Sequence, residues 1–325
     1  MFAYIVRRLL HTVPVVIVGS FATFLMVSAA GDPLGDLKAK QPPVSPAVLA
    51  AETHRLRLDE PLHLRYWHWL SGIVRGDWGP SVSRIDIGHE IGQRVLVSVR
   101  LVALAMIVAV LLALVVGLVS AVRRYSVIDY GFTFLGFLML SMPAFWLAIL
   151  LKQQAIDVND AVGVSLFYTV GDSSIPAPTG FADTVRDVLG HLVLPTIVLA
   201  MTAFAPWSRY VRSSIIEVLQ SDYVRLARAK GLGRRTVLVR HALRTALIPL
   251  TTVVGLDLAV LFSGAVVTET VFQWRGMGSF LLTAVRERDV YAVMGWLLVV
   301  SLIVILFNLI ADLLYAVLDP RIRLA

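Results

Sequence analysis

An all-α membrane protein with six transmembrane helices is the fold class this sequence predicts, and three observations predict it. Of 325 residues, 58% are hydrophobic and only 16% charged, and the mean hydropathy is +0.78; a soluble domain is nearer about 45–50% apolar and about 25% charged. The apolar residues are gathered into runs long enough to cross a bilayer. The basic residues are gathered between those runs.

Bounded by charged residues, the runs are Leu9–Gly31, Leu101–Val122, Tyr130–Leu151, Val188–Ser208, Thr245–Thr268 and Val290–Ala311. Asp257 is the one acid inside them. About 20 apolar residues cross the roughly 30 Å hydrocarbon core as a helix. The runs are continuous rather than alternating, so the backbone satisfies itself in lipid as helices and not as a barrel. The first run follows Arg7-Arg8 and is 23 residues long. Signal-peptide cores are about 7–15 residues, so a retained first helix is expected.

Between the first two runs, residues 32–97 carry 8 basic and 8 acidic residues. Pro42, Pro43 and Pro46 break this segment early. Ala47–Leu58 reads as a short helix and Pro61–Val74 as an amphipathic one, with Tyr66, Trp67 and Trp69 suited to the membrane–water interface. Gly76-Asp77-Trp78-Gly79 reads as a turn, and Ile85–Arg100 as a helical lead into the second run. Lys152–Asp187, with Pro176-Ala177-Pro178-Thr179-Gly180, reads as irregular. The segment 209–244 carries nine Lys and Arg. There Val211–Ala229 is expected to extend the fourth run, Gly231 and Gly233 to stop it, and Arg234–Ala246 to form a second amphipathic helix. Pro249 is then tolerable at the start of the fifth run or as a kink. With Arg7, Arg8, Arg123, Arg124, the 209–244 cluster, Arg321 and Arg323 on one side, the positive-inside rule places both termini in the cytosol. The expected domains are 1–31, the first transmembrane helix; 32–97, an extracytoplasmic segment with short amphipathic helices; 98–318, a five-helix core with the cytosolic loop 209–244; and 319–325, a cytosolic tail.

Chemistry of its own is hard to find in the chain. It has no cysteine, which excludes disulfides, thiolate metal sites and cysteine nucleophiles. It lacks the G-x-x-x-x-G-K-[ST] loop that cradles phosphates, so any ATP is bound by another chain. It lacks H-E-x-x-H and the G-x-S-x-G elbow. No metal site and no cofactor is expected in this chain, and no nucleic-acid motif accompanies its net charge of +7. Asp257 falls about 17 Å along its helix, near the bilayer midplane. A carboxylate at that depth faces a bundle interior or a wet cavity: either it lines a polar pathway, or it bonds a neighbouring helix. Asn308 and Asp312 read as interhelical polar contacts. The basic loop is either a surface for anionic lipid headgroups or a docking surface for a soluble partner, and its length and glycine punctuation favour docking.

Arg225-Leu226-Ala227, with Gly231 four residues on, resembles the EAA loop of ABC importer permeases, and Asp222–Leu250 as a whole resembles their peptide-transporter branch. So do Tyr4-Ile5-Val6-Arg7-Arg8-Leu9, Gly31-Asp32-Pro33, Gly76-Asp77-Trp78-Gly79, Ser141-Met142-Pro143-Ala144-Phe145, Gly264–Gly278 and the ending Leu318-Asp319-Pro320-Arg321. Several motifs in one order make the chain similar to the B-type permease subunit of dipeptide and oligopeptide ABC importers. Arg225 stands where the general pattern has Glu, and Pro249 lies later than the general spacing; both are usual in the peptide branch.

The resemblance implies a type I ABC importer permease core in the inner membrane. It also implies a C-type permease as heterodimer partner, two ATPase subunits, an extracytoplasmic binding protein and a peptide substrate. Arg225, Leu226, Ala227, Arg228, Ala229, Lys230, Gly231 and Gly233 become the ATPase-coupling residues, with Ala227 and Ala229 small enough for close approach and Gly231 ending the helix. Pro176, Pro178, Arg275 and Gly276 become candidate contacts for the binding protein. Nickel and glutathione systems share the architecture. A gradient-driven secondary transporter with Asp257 as its ion site, or a membrane-embedded hydrolase, are rival readings from other classes.

Overall fold

A computed structural model describes residues 2–318; the expected tail 319–325 and the Asp319-Pro320-Arg321 part of the ending motif lie outside the described residues. In chain order the helices are α1 (Phe2–Ala29), α2 (Gly35–Lys38), α3 (Pro46–Arg55), α4 (Leu62–Ile73), α5 (Ile87–Val122), α6 (Val127–Ser141), α7 (Ala144–Val162), α8 (Phe181–Gln220), α9 (Asp222–Ala229), α10 (Arg234–Thr236), α11 (Arg244–Val271), α12 (Met277–Arg286) and α13 (Val290–Leu318), with a π-helical turn at Val237–Leu243 between α10 and α11. Five helices are long and apolar enough to cross a membrane, and the bent pair α6–α7 makes a sixth crossing if it counts as one span. Exposed Leu, Val and Phe on α1, α5, α6, α11 and α13 are what solvation by lipid tails requires.

The third expected span is therefore not one helix. α6 and α7 meet at 106°. Pro143 disfavours the helical region for the residue before it, and Met142 is extended at φ −83°, ψ 125°. Beyond the bend, α7 continues past Lys152 to Val162. The charge that suggested a loop is accommodated in place: Lys152 Nζ donates to the Val271 carbonyl at 2.8 Å, near the C-terminus of α11, where a cation is favoured. The irregular segment is thus 163–180, shorter than the sequence suggested.

The chain divides into two compact units, Met1–Ser98 with Arg275–Ile305, and Val99–Trp274 with the residues from Leu306 on. In the first, α4 packs on α1: Tyr66 donates to the Ile17 carbonyl and bonds Ser20, and its ring meets Phe21, Phe24 and Trp69. The expected helices α3 and α4 form at their predicted places. Gly76 and Gly79 turn the chain with φ of +80° and +89°, and at Gly79 a Cβ would lie 2.7 Å from the Tyr291 ring. Ion pairs bind this unit together. Glu52, 9% exposed, accepts from Arg55 Nε at 2.7 Å and from Arg84; these donors, Arg55 foremost, hold its carboxyl below the usual range. Lys38, then the Leu34 amide, does the same for Asp32. Buried Asp289 caps α13 through Ala292 N–H and takes bonds from Ser81 Oγ at 2.6 Å and Val82 N–H at 2.8 Å.

In the second unit α8 is the axis. Its 40 residues pack most extensively against α11 and also against α6 and α7. α5 approaches α8 closely at Gly117, where a Cβ would lie 2.7 Å from Val211 and 2.8 Å from the Ser208 carbonyl. α13 approaches α11 at Gly255, where a Cβ would lie 3.1 Å from Asn308 Oδ1. The segment 163–180 is irregular in backbone but firmly bonded. Asp187, on the first turns of α8, accepts from Ser174 N–H and Oγ. Tyr168 stacks on His191 at 4.2 Å, Arg100 donates to Asp172, and Gly171 N–H donates to Phe272 O.

Candidate functional site

The expected coupling segment follows directly on the end of α8. The sequence suggested one helix from 211 to 229; instead α8 ends at Gln220, Ser221 is extended at φ −68°, ψ 152°, and α9 starts afresh at Asp222. Ser221 Oγ bonds back to the Val218 carbonyl. A serine that offers the backbone this local alternative favours helix ends over interiors.

α9 is short and strongly two-faced. Val224 and Ala227, three residues apart and so on one helical face, are 0% and 7% exposed, and α9 packs against α8 and the π-helical turn. Asp222, Tyr223, Arg225, Leu226, Arg228, Ala229 and Lys230 all face outward, with Leu226 57% exposed. Ala227 therefore seats α9 on its own chain. Of the two alanines expected to permit close approach by a partner, only Ala229 is placed to do so.

The stop is a Schellman motif. Gly231 has φ +82°, its N–H donates to Arg228 O at 2.9 Å, and Leu232 N–H donates to Ala227 O at 3.2 Å, the paired bonds that satisfy orphan carbonyls at a helix C-terminus. A Cβ at Gly231 would meet nothing within 4 Å, so the requirement for glycine is conformational and not spatial. Gly233 has no positive φ and open space around it; the stop belongs to Gly231 alone. After it the chain does not form a separate amphipathic helix. α10, the π-helical turn and α11 follow without a break, which puts Pro249 inside a helix. Tyr223 and Thr245 hydroxyls, 3.5 Å apart, link α9 to the start of α11.

The outward face is cationic and apolar together. Arg225 lies 3.4 Å from Asp222, both well exposed; among the described residues Arg228 and Lys230 have no carboxylate partner. Such a face offers Leu226 as an apolar anchor ringed by positive charge.

Asp257 is bonded across helices. Trp207 Nε1, on α8 and fully buried, donates to Asp257 Oδ2 at 2.7 Å. The carboxylate itself is half-buried, beside Leu256 and Val260, which are 74% and 67% exposed. Pro176 is exposed and Pro178 half-buried in the irregular segment of the second unit; the Pro178 carbonyl accepts from Thr184. Arg275 is exposed in the first unit, whereas Gly276 is buried and starts α12, its carbonyl accepting from Ser279 Oγ and Phe280 N–H. Gly276 as a direct contact is thus disfavoured by its own burial.

One polar cluster was not foreseen from sequence. Asp129, 2% exposed, accepts from Arg212 Nε and a terminal nitrogen, both at 2.8 Å, from Ser120 Oγ at 2.8 Å and from Tyr125 N–H at 2.9 Å. In the sequence Asp129 reads only as a charge bounding a span and Arg212 only as part of the basic 209–244 cluster. The available signal was that Asp129 is the acid directly following Arg123-Arg124-Tyr125-Ser126-Val127-Ile128 at a basic turn.

Compared with known proteins, residues 96–324 match the family model described as binding-protein-dependent transport system inner membrane component, and residues 1–87 match the model of the N-terminal part of such membrane components. The chain is 39% identical over 322 residues to the oligopeptide transport system permease protein OppB of Mycobacterium tuberculosis, with 99% of each chain covered. It is 38% identical over 341 residues to the dipeptide transport system permease protein DppB of Escherichia coli, with 99% of each covered. It is 35% identical over 328 residues to the oligopeptide transport system permease protein AppB of Bacillus subtilis, covering 99% of this chain and all of that one.

Proposed function

The chain belongs to the family of inner membrane components of binding-protein-dependent transport systems, and from that premise we propose that it is the B-type permease subunit of an ATP-driven importer of oligopeptides or dipeptides. Full-length relatives that are themselves named oligopeptide and dipeptide permeases support the substrate class. The chain is a transport subunit, with ATP hydrolysis assigned to separate ATPase subunits. A C-type permease completes the pathway as a heterodimer, and an extracytoplasmic binding protein delivers the peptide. The basic clusters around 123–124 and 209–244 support a cytosolic side for both termini and α9.

The observation that carries the mechanism is α9 itself. It is seated on its own chain by Val224 and Ala227 and turns Leu226 and its cations to solvent. That division is what a lever's foot requires: one face fixed to the moving helix, the other shaped to enter a partner's groove. Leu226 and Tyr223 supply apolar area. Arg225, Arg228 and Lys230 supply charge complementary to an acidic rim on the ATPase, each exposed pair worth only about 0.2–1 kcal/mol. Closure of the ATPase pair displaces α9, and α8, joined to it through Ser221 and packed against it, follows. The helices move as rigid bodies and switch access from one side of the membrane to the other.

The test is purification of this chain from its native membrane in mild detergent, with mass spectrometry of what accompanies it and reconstitution of the product. Recovery of a second permease, ATPase subunits and a binding protein, and ATP-dependent uptake of a labelled peptide into vesicles, is the expected result. A chain that purifies alone and accumulates substrate under an ion gradient without ATP overturns the proposal.

A further inference from the structure

Arg212 lies about 14 Å from Ser221 along α8, at 1.5 Å per residue. It is thus on the stretch of α8 nearest α9, which packs against that helix. Its guanidinium forms a two-pronged bond with Asp129, each prong 2.8 Å, the planar match that lysine cannot make. Asp129 is buried and belongs to the first turn of α6, and its remaining bonds reach α5 and the turn between the two helices: Ser120 Oγ on α5 and Tyr125 N–H. Tyr125 sits at φ +63°, a conformation non-glycine residues seldom adopt, and the bond from its N–H to Asp129 holds it there. One carboxylate therefore joins the end of α5, the start of α6 and the body of α8. Around it the packing leaves little slack. Gly117 of α5 lets Val211 and Ser208 of α8 approach to the limit of contact. Beside it Gly117, Ser120, Thr133, Ser208 and Arg212 line a small half-open cleft.

We propose that the Asp129–Arg212 fork is the strut of this permease: it makes α5 and α6 travel with α8 when α9 is displaced, so that a push on one short helix moves a three-helix block. Without it α8 would slide past α5 and α6, and ATP would be spent with little change in access. The inference rests on the importer reading above. Arg212 and Asp129 are positioning residues that act through the helices they join.

The test uses the assembled transporter in vesicles. Spin labels are placed at Val127→Cys on α6 and Ser213→Cys on α8, two exposed positions in a chain with no native cysteine. With Arg212 intact, the distance distribution is expected to be the same without nucleotide and with bound ATP. In Arg212→Ala it is expected to shift or broaden with ATP, and peptide taken up per ATP hydrolysed is expected to fall about tenfold while hydrolysis persists, the scale on which residues along a coupling route act. Arg212→Lys keeps the charge and loses the fork, and is read by the same criteria if Arg212→Ala does not assemble; an intermediate loss is expected. An Arg212-intact distance that changes with ATP, or either variant transporting with the parent's uptake per ATP, overturns the strut. A parent that takes up no peptide with ATP overturns the importer reading instead, so the two failures are distinct.

Discussion

The segment 32–97 and the segment 221–233 both lie outside the apolar spans and both are rich in charge, yet their charges are handled in opposite ways. In 32–97 the buried carboxylate Glu52 has two guanidiniums, and exposed Asp32 has Lys38 at 2.6 Å. In 221–233 the one ion pair among the described residues is Asp222 with Arg225, at 3.4 Å and open to water. The first segment pairs Asp32, Glu52 and Glu90 with its own basic residues. The second leaves Arg228 and Lys230 without a carboxylate partner among the described residues. A surface that leaves cations without partners around an exposed leucine gains nothing in stability by doing so, which is the physical case for a partner there.

The largest effect should come from unseating α9. Val224→Asp puts a carboxylate where the valine is 0% exposed, and an unpaired buried charge costs several kcal/mol, on the order of 3–5. Uptake by the assembled transporter should fall at least a hundredfold, while membrane insertion, read by protease accessibility of the 32–97 segment, stays normal. Retained uptake would mean that α9 need not be held on its own chain, and the contrast between a fixed face and an offered face would be lost.

Gly231 gives the next effect. Leucine there meets no steric obstacle but must adopt φ +82°, at a cost of about 1–2 kcal/mol. Gly231→Leu should lower uptake about tenfold and leave basal ATP hydrolysis uncoupled from it, and Gly231→Asn, which tolerates this backbone region better, should recover part of the loss. Gly233→Leu serves as the control, since that glycine has neither a positive φ nor a crowded Cβ. Equal losses at 231 and 233 would show that the Schellman stop is not what matters.

How far these features were legible in sequence depends on whether their cause is local. Charge-free runs reveal spans because the bilayer acts on each run by itself, and Gly231 could be read because a helix stop needs only a few neighbours. Burial of Val224 and Ala227 was within reach, since charged or polar residues at 222, 225, 228 and 230 leave those two on one face. The break at Ser221 was missed because serine is tolerated inside helices as well as at their ends, and the 106° bend because a proline in an apolar run reads equally as a kink. The Asp129–Arg212 fork spans 83 residues and the Trp207–Asp257 bond spans 50; no spacing rule connects partners that only helix packing brings together.

Neutralising the offered face should act more mildly. Arg225→Ala, Arg228→Ala and Lys230→Ala together remove three exposed cations, each worth under about 1 kcal/mol against an acidic rim. Retention of the ATPase during purification should drop severalfold, and raising the salt should produce the same drop in the parent, because exposed pairs are screened within about 10 Å at 0.1 M. Salt-independent retention would indicate that Leu226 and Tyr223 carry the contact and the cations do not.

The smallest effect separates the two segments by pH. Glu52 has its carboxyl held below the usual value of 4.5 by Arg55 and Arg84. The folded form therefore binds its proton less readily than the unfolded form. Stability from this group is fully present above pH 4.5 and is lost as the pH falls through the lowered value. Hydrogen exchange of α3 should accordingly be flat from pH 7 to about pH 5, after correction for intrinsic rates, and protection should decline below that. Glu52→Gln should remove the decline while lowering protection throughout, by about 1–3 kcal/mol for donors left without a charged acceptor. The exchange of α9, whose buried residues Val224 and Ala227 carry no charge, should show no decline of this size. A shared acid limb would mean that the coupling surface is held by ion pairs after all.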